Sequence, residues 1–157
     1  MSISSPDLGQ TIDAFVAAFN DPDLDLVMSF FAEDARYLPG RGPERRGLAA
    51  IRAEFAPQFA GRYGSMTFDV YDKIIDEARR RATIRWACRL DLTGAHGRRA
   101  RPALRWFARL RYGGRLQWHG LDVFHFDDAG RIAGKYTYAT FRLPLWEAAH
   151  NTTPTAS

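Results

Sequence analysis

The run Trp118-His119-Gly120-Leu121-Asp122-Val123-Phe124-His125-Phe126 sets one carboxylic acid among aromatic residues at a spacing of two. Side chains of an extended strand point alternately to opposite faces, so Trp118, Gly120, Asp122, Phe124 and Phe126 share a face. Poor solvation disfavours the charged form of a carboxyl group. A carboxyl group tuned that way can donate a hydrogen bond to a developing enolate or alkoxide, or shuttle a proton, near neutral pH. The bland reading of Asp122 is a carboxylate that pairs with a neighbour to close a sheet.

A second alternating run follows. Lys135, Thr137 and Ala139 fall on one face, and Tyr136, Tyr138 and Thr140 on the other. If the Lys135 face meets the Asp122 face, the two residues can form a charge pair, and a nearby cation favours the carboxylate, which turns an acid into a base. Lysine can also titrate or form a Schiff base, which arginine cannot. Against this stands the ordinary expectation that a lysine near a strand end reaches solvent. Tyr37 could donate from the mouth of a pocket, and Trp86, Trp106 and Trp118 could supply apolar walls, though each Trp is equally well explained as core. His119 and His125 share the face opposite Asp122 and lack a carboxylate or third ligand at metal-site spacing, which points to a subunit interface instead. His96 and His150 fall in a loop and the tail. With no glycine-rich phosphate loop and no Ser or Cys nucleophile motif, the expectation is chemistry without metal or cofactor.

The elements that would position these residues are legible from periodicity. Leu8, Ile12, Phe15, Val16 and Phe19 form one face of a helix capped by Asp7 or the preceding Ser. Asn20-Asp21-Pro22 breaks it, and Asp23 opens a second helix through Leu24, Val27, Met28 and Phe31. A short strand at Ala35-Arg36-Tyr37-Leu38 ends at Pro39-Gly40, and a third helix carries Leu48, Ile51, Phe55 and Phe59. From Met66 the period becomes two. Met66, Phe68 and Val70, and then Ile84, Trp86, Cys88 and Leu90, predict a hairpin of long strands around Asp76-Glu77-Ala78-Arg79. Arg89 and Asp91 lie opposite that apolar face and read as a solvated or interface pair. Strands resume over 116–126 and 131–141 around the turn Asp127-Asp128-Ala129-Gly130. The segment 102–112 fits a helix, with Ala103, Trp106, Phe107 and Leu110 at helical spacing, Pro102 in the first turn and Gly113-Gly114 at the end; alternation from Leu104 to Tyr112 fits a strand nearly as well. As a helix it would be a lid beside the sheet or an ordinary surface insertion.

Composition bounds the rest. At 157 residues with 46% hydrophobic side chains, the chain suits one domain over 1–150, with a polar, aperiodic tail at 151–157. The 20 Arg and 2 Lys are spread from Arg36 to Arg142 among 18 acidic residues, which argues against nucleic acid as a partner; the densest basic stretch is Arg98-Arg99-Ala100-Arg101. Cys88 is the lone cysteine and reads as a buried structural thiol. No run approaches the ~18 apolar residues of a membrane span, and no signal peptide is evident, so a cytoplasmic protein without a membrane partner is expected.

Three helices followed by four long antiparallel strands, the stretch Phe31-Ala32-Glu33-Asp34-Ala35 and the late hairpin from Gly120 to Ile132 together resemble the NTF2-like superfamily, in particular its SnoaL-like branch, over about residues 7–142. The resemblance implies an α+β cone, with the three N-terminal helices packed in the concave face of a curved, mostly antiparallel sheet, usually as a homodimer through the outer sheet face. It leaves the chemistry open, because one fold hosts many activities. Set beside ketosteroid isomerases, Asp122 matches the pocket acid, but Phe15 falls where that family has its oxyanion-hole Tyr and Pro39 where it has the Asp base. Set beside limonene epoxide hydrolases, Tyr37 matches the pocket Tyr and Arg89-Leu90-Asp91 resembles the Arg-x-Asp pair, whereas Pro39 replaces an Asn and Thr137 the second Asp. In SnoaL-like cyclases the acid/base group is a pocket carboxylate, for which Asp122 is the nearest equivalent. The resemblance therefore implies a cofactor-independent cyclase, isomerase, dehydratase or epoxide hydrolase acting on a hydrophobic, oxygenated small molecule. Asp122, Lys135 and Tyr37 would be catalytic, with Phe15, Trp86, Trp106, Trp118, Phe124 and Thr137 against the substrate. A binding or assembly domain of the same fold is the alternative.

Overall fold

The structure, a computed structural model, describes residues 7–21 and 23–139 and the backbone of 147–148. The polar ending at 151–157, His150 and the end of the last long strand at 140–141 lie outside the described residues.

Helix α1 (Leu8–Asn20) starts where Asp7 accepts a hydrogen bond from the Gln10 backbone N–H at 3.0 Å, and α2 (Leu24–Ser29) where Asp23 accepts one from Leu26 at the same distance. Each carboxylate satisfies an otherwise orphaned first-turn donor. Strand β1 (Phe31–Leu38) follows, then the two-residue β2 (Arg45–Arg46) and helix α3 (Leu48–Phe59). The second helix stops at Ser29, so Phe31, expected on its apolar face, instead opens the first strand, which is longer than its alternating residues alone suggest. Strands β3 (Ser65–Asp76) and β4 (Arg81–Asp91) form the expected long hairpin, paired from Ser65↔Asp91 to Asp76↔Arg81. A single turn, α4 (Gly94–Gly97), leads to α5 (Pro102–Tyr112), which resolves the ambiguous segment as a helix. Pro102 occupies its first turn, and Gly113, at φ 66°, closes it in the left-handed conformation that glycine adopts without steric cost. Strands β5 (Arg115–Phe126) and β6 (Ile132–Ala139) form the second hairpin, and β7 (Glu147–Ala148) pairs with the start of β5.

The strands make one sheet in the order β2-β1-β6-β5-β4-β3, antiparallel except where β1 runs parallel to β6. Register shifts in β1, β3 and β6 are places where an extra residue bends a strand, and bending curls the sheet into the concave surface against which the helices pack. The packing is aromatic. The Phe15 ring meets Phe19, Phe30, Phe31 and Phe124 at centroid distances of 5.4–5.8 Å, and Phe19 continues the chain of rings to Phe55, Phe59 and Phe68. Such edge-on contacts add to the burial of the rings themselves. Asn20 fastens the end of α1 to the sheet margin, its side-chain amide donating to the Phe68 carbonyl at 2.9 Å and accepting from the Phe68 N–H at 2.7 Å.

The outer face carries the residues of opposite parity. Arg89 pairs with Asp69 at 2.9 Å, and Asp91 with Arg115 at 3.3 Å and with Thr93. Arg89 and Asp91 thus lie on the face expected of them, each bridging to a neighbouring strand rather than to the other. His119 lies against Tyr71 and His125 against Tyr136. Among the described residues, no group of His, Cys, Asp and Glu is arranged to hold a metal, and no helix is long and apolar enough to cross a membrane.

Candidate functional site

Between the helices and the concave face lies a cavity of about 530 Å³, a size that suits a small molecule. Phe15, Val16 and Phe19 of α1, Phe55 of α3, and Phe68, Val70, Ile84, Trp86, Leu90 and Trp118 of the sheet supply apolar lining, and Leu104 of α5 joins them. The polar lining falls into two groups. One comprises Asp122, Lys135, Thr137 and Tyr37; the other includes Arg41, Glu54 and Gln58, and there Glu54 is held by Arg45 at 2.8 Å.

The first group is a closed network. In the β5–β6 ladder Asp122 stands opposite Thr137 and Phe124 opposite Lys135; across the parallel pair Tyr37 stands opposite Lys135. The backbone therefore delivers all four side chains to one spot on the concave face. Lys135 Nζ donates to Asp122 Oδ2 at 2.8 Å and to Thr137 Oγ1 at 2.8 Å, and Thr137 Oγ1 donates to Asp122 Oδ1 at 2.6 Å. The side chains of Lys135 and Asp122 are only 7% and 8% exposed. The ammonium lies 5.1 Å from the Tyr37 ring centroid and 5.7 Å from that of Phe124, within the range at which aromatic faces attract a cation. Burial pushes the Tyr37 phenol above its ordinary pKa, opposed by the positive charge of Lys135, so Tyr37 is held as a neutral hydrogen-bonding group.

The arrangement leaves chemical capacity. A carboxylate offers about four lone-pair positions and an ammonium three hydrogens. The internal bonds use one position on each Asp122 oxygen and two of the Lys135 hydrogens. One lone-pair position on each Asp122 oxygen and one Lys135 hydrogen are not used by these bonds.

Of the site residues expected from sequence, Asp122, Lys135, Thr137, Tyr37, Phe15, Trp86 and Trp118 all line the cavity. Two do not. Phe124 is fully buried beneath the network, stacked on Phe126 and touching Phe15, so it supports the floor rather than facing a ligand. Trp106 is 69% exposed and lies outside the lining, because α5 turns Leu104 and Ala108 inward and Trp106 outward. Lys135 also departs from the ordinary expectation for its position: it is buried rather than solvent-reaching. Glu54, Gln58 and Arg41 were not singled out by sequence, since a polar residue on a helix or in a turn carries no mark of the cavity it faces.

Cys88 lies on the concave side of β4 but is fully buried, and burial, with a smaller contribution from Asp69, pushes its thiol well above the ordinary range. A thiol that neither ionises nor meets solvent is unreactive. Cys88 is accordingly expected to resist a thiol-specific reagent in native buffer and to be labelled at the rate of global unfolding as urea is added. Rapid labelling of the native protein would show that β4 opens locally.

Three comparisons bear on this geometry. A family model described as the SnoaL-like domain matches residues 12–135. A search of curated proteins returns no match. Among solved structures, the chain is similar to SalBIII, an epoxide hydrolase/cyclase-like enzyme in pyran ring formation in the polyether salinomycin, with a TM-score of 0.66, 16% identity, and coverage of 85% of this chain and 91% of that one. It is similar to RV0760c from Mycobacterium tuberculosis, solved in complex with estradiol-17beta-hemisuccinate, with a TM-score of 0.64, 12% identity, and coverage of 89% and 97%. A candidate polyketide cyclase from Xanthomonas campestris pv. campestris gives a TM-score of 0.61, 20% identity, and coverage of 83% and 88%. At these identities the structures speak to the fold, and the family match, reaching from the first helix to the lysine of the buried network, settles the affiliation: the chain belongs to the SnoaL-like domain family, with the NTF2-like α+β cone that its sequence resembles.

Proposed function

We propose that the protein is a cofactor-independent enzyme that moves a proton on a hydrophobic, oxygenated small molecule, with Asp122 as the acid/base group. The observation that carries this reading is the buried Asp122–Lys135–Thr137 network lining an otherwise largely apolar cavity. Asp122 takes a proton from carbon or oxygen of the ligand, and the third hydrogen of Lys135 meets the negative charge that develops on a ligand oxygen. Donors fixed in a water-poor site need no reorganisation when charge appears, which is where much of such catalysis arises. Thr137 holds the carboxylate in place, and Tyr37 closes the network beside Lys135. Ring closure, isomerisation, dehydration and epoxide opening are all reached by this proton transfer.

One observation favours a second reading. Both oxygens of Asp122 already have partners inside the protein, as they would in a domain that only binds its ligand. Deuterium exchange separates the two. The protein is incubated in heavy water with a panel of aromatic ketones, β-diketones and epoxides, and exchange next to the carbonyl, or ring opening, is followed by mass spectrometry. Wild type is expected to accelerate one of these reactions, and Asp122→Asn to abolish the acceleration while still binding the compound. Binding without acceleration in either protein identifies a binding domain. A homodimer through the outer sheet face, where Tyr138 is 58% exposed and Arg85 lies over the Tyr71 ring, belongs to the same reading, and sedimentation velocity tests it.

A further inference from the structure

Between Asp91 and Asp122 the sequence has no acidic residue, yet it carries seven arginines: Arg98, Arg99, Arg101, Arg105, Arg109, Arg111 and Arg115. Elsewhere the arginines are largely neutralised, with Arg45, Arg46, Arg52, Arg79, Arg80, Arg85, Arg89 and Arg131 all in ion pairs. In the segment only Arg115, at its border, is paired, through Asp91; among the described residues no ion pair is made by the other six. Five of those six are exposed, Arg105 being partly buried. The segment is a patch of positive charge with no internal counterion.

The same segment carries an apolar stripe facing outward. On α5, Leu104, Ala108 and Tyr112 follow one another at four-residue spacing and turn inward, and Leu104 reaches the cavity lining. At 100° per residue, Ala103, Trp106 and Leu110 fall on the opposite side, where Trp106 is 69% and Leu110 67% exposed. Arg109 and Arg111 flank this stripe on either side. An exposed Trp and Leu between unpaired arginines is the pattern of a helix lying at a lipid–water boundary, where the indole settles at headgroup level, the leucine enters the acyl region and guanidinium groups meet anionic headgroups.

We propose that α5 docks the protein onto an anionic membrane surface, with Trp106 and Leu110 inserted and the surrounding arginines against the headgroups. Charge complementarity selects an anionic surface, and the outward Trp–Leu stripe selects one with an apolar layer beneath it, which a nucleic acid lacks. The position of α5 gives docking a use. Its inner side forms part of the cavity wall, so the docked helix holds the cavity beside the phase in which a hydrophobic ligand concentrates. Surface docking requires no membrane span, although it departs from the expectation of no membrane partner drawn from the sequence, and it is independent of what Asp122 does.

The test is co-sedimentation of the full chain with vesicles of pure phosphatidylcholine and of an equal mixture of phosphatidylcholine and phosphatidylglycerol. The protein is expected to pellet with the mixed vesicles and not with the neutral ones, and to be released by salt, since surface charge is screened. Trp106→Ser/Leu110→Ser is expected to weaken binding at least about tenfold, and Arg109→Gln/Arg111→Gln to weaken it with the apolar stripe intact; both change exposed residues, and circular dichroism checks that each remains folded. Failure to bind the mixed vesicles, equal binding to both kinds, or undiminished binding of the Trp106/Leu110 variant would overturn the proposal. So would a wild-type dimer that this variant converts to monomer, since a second copy would then be what covers the stripe.

Discussion

Lys135→Met is expected to lower the free energy of unfolding by about 3–5 kcal/mol, the usual cost of removing one member of a buried ion pair. The cost arises from what remains. Asp122, at 8% side-chain exposure, would keep only the 2.6 Å bond from Thr137, with no cation against its second oxygen. Removing the carboxylate charge as well should reverse most of the loss, because a buried pair replaced by neutral groups of similar volume is often as stable as the original. Asp122→Asn/Lys135→Met is therefore expected to lie within about 2 kcal/mol of wild type, closer than Lys135→Met alone. Urea unfolding of the three proteins measures this directly. A Lys135→Met protein as stable as wild type would mean that water reaches the pair freely, and the site would lose the low-dielectric character on which the proposed catalysis depends. Activity separates from stability once the single variant Asp122→Asn joins the set. Asp122→Asn removes the group that takes the proton and is expected to cost about a hundredfold or more in turnover of any compound that wild type converts. The double variant should be similarly inactive even where its stability has returned.

That the acid would be found with a lysine was only partly legible beforehand. Alternation along 118–126 places Asp122 on the face of Trp118, and this needs nothing beyond the period of a strand. Whether Lys135 reaches solvent depends on which strand covers its far side. The covering strand is β1, some hundred residues earlier in the chain, which brings the Tyr37 ring against the ammonium. A parallel pairing at that separation leaves no local trace. The helix at 102–112 shows the reverse. Its boundaries were legible from Pro102 and Gly113, but of the residues at helical spacing, Ala103, Trp106, Phe107 and Leu110, Phe107 is half-buried and the other three are exposed, among them Trp106, which was expected against the substrate. The inward stripe is Leu104, Ala108 and Tyr112, equally periodic, with Ala108 fully buried and the other two half-buried. Periodicity identifies a helix; it does not say which of two apolar stripes the rest of the protein covers. Asn20 was read as part of a chain break, and it also supplies paired hydrogen bonds to Phe68, an arrangement that only the folded sheet margin can display.

Gly120→Ala tests the cavity wall from the backbone side. The position stands opposite Trp86 in the β4–β5 ladder, and a Cβ added there would lie 2.3 Å from Trp86 Cζ2 and 2.4 Å from Cη2. The indole is thus laid across the strand in the space that a side chain would occupy. Two effects oppose each other on substitution. Alanine restricts the unfolded chain more than glycine does, worth about 0.4–1 kcal/mol in favour of the variant where the native conformation is compatible, and Gly120 is not among the residues with positive φ. Against this, overpacking a filled site costs about 1–3 kcal/mol. Paired on one side with β4 and on the other with β6, β5 has little freedom to retreat, so the ring must move instead. The steric effect prevails on these magnitudes. Gly120→Ala is expected to be destabilised, with Trp86 pushed from Phe68, whose ring it now meets at 5.3 Å, into the cavity. Ligand capacity should fall with stability. Urea unfolding reads the first effect and titration with a bulky aromatic ketone the second. Replacing the indole with a smaller side chain in Trp86→Leu/Gly120→Ala should relieve the clash, so the two substitutions should cost less together than the sum of their separate effects. A Gly120→Ala protein more stable than wild type, with its cavity unchanged, would show that the indole is free to shift without loss, and that Trp86 is not the fixed wall its contact with the glycine implies.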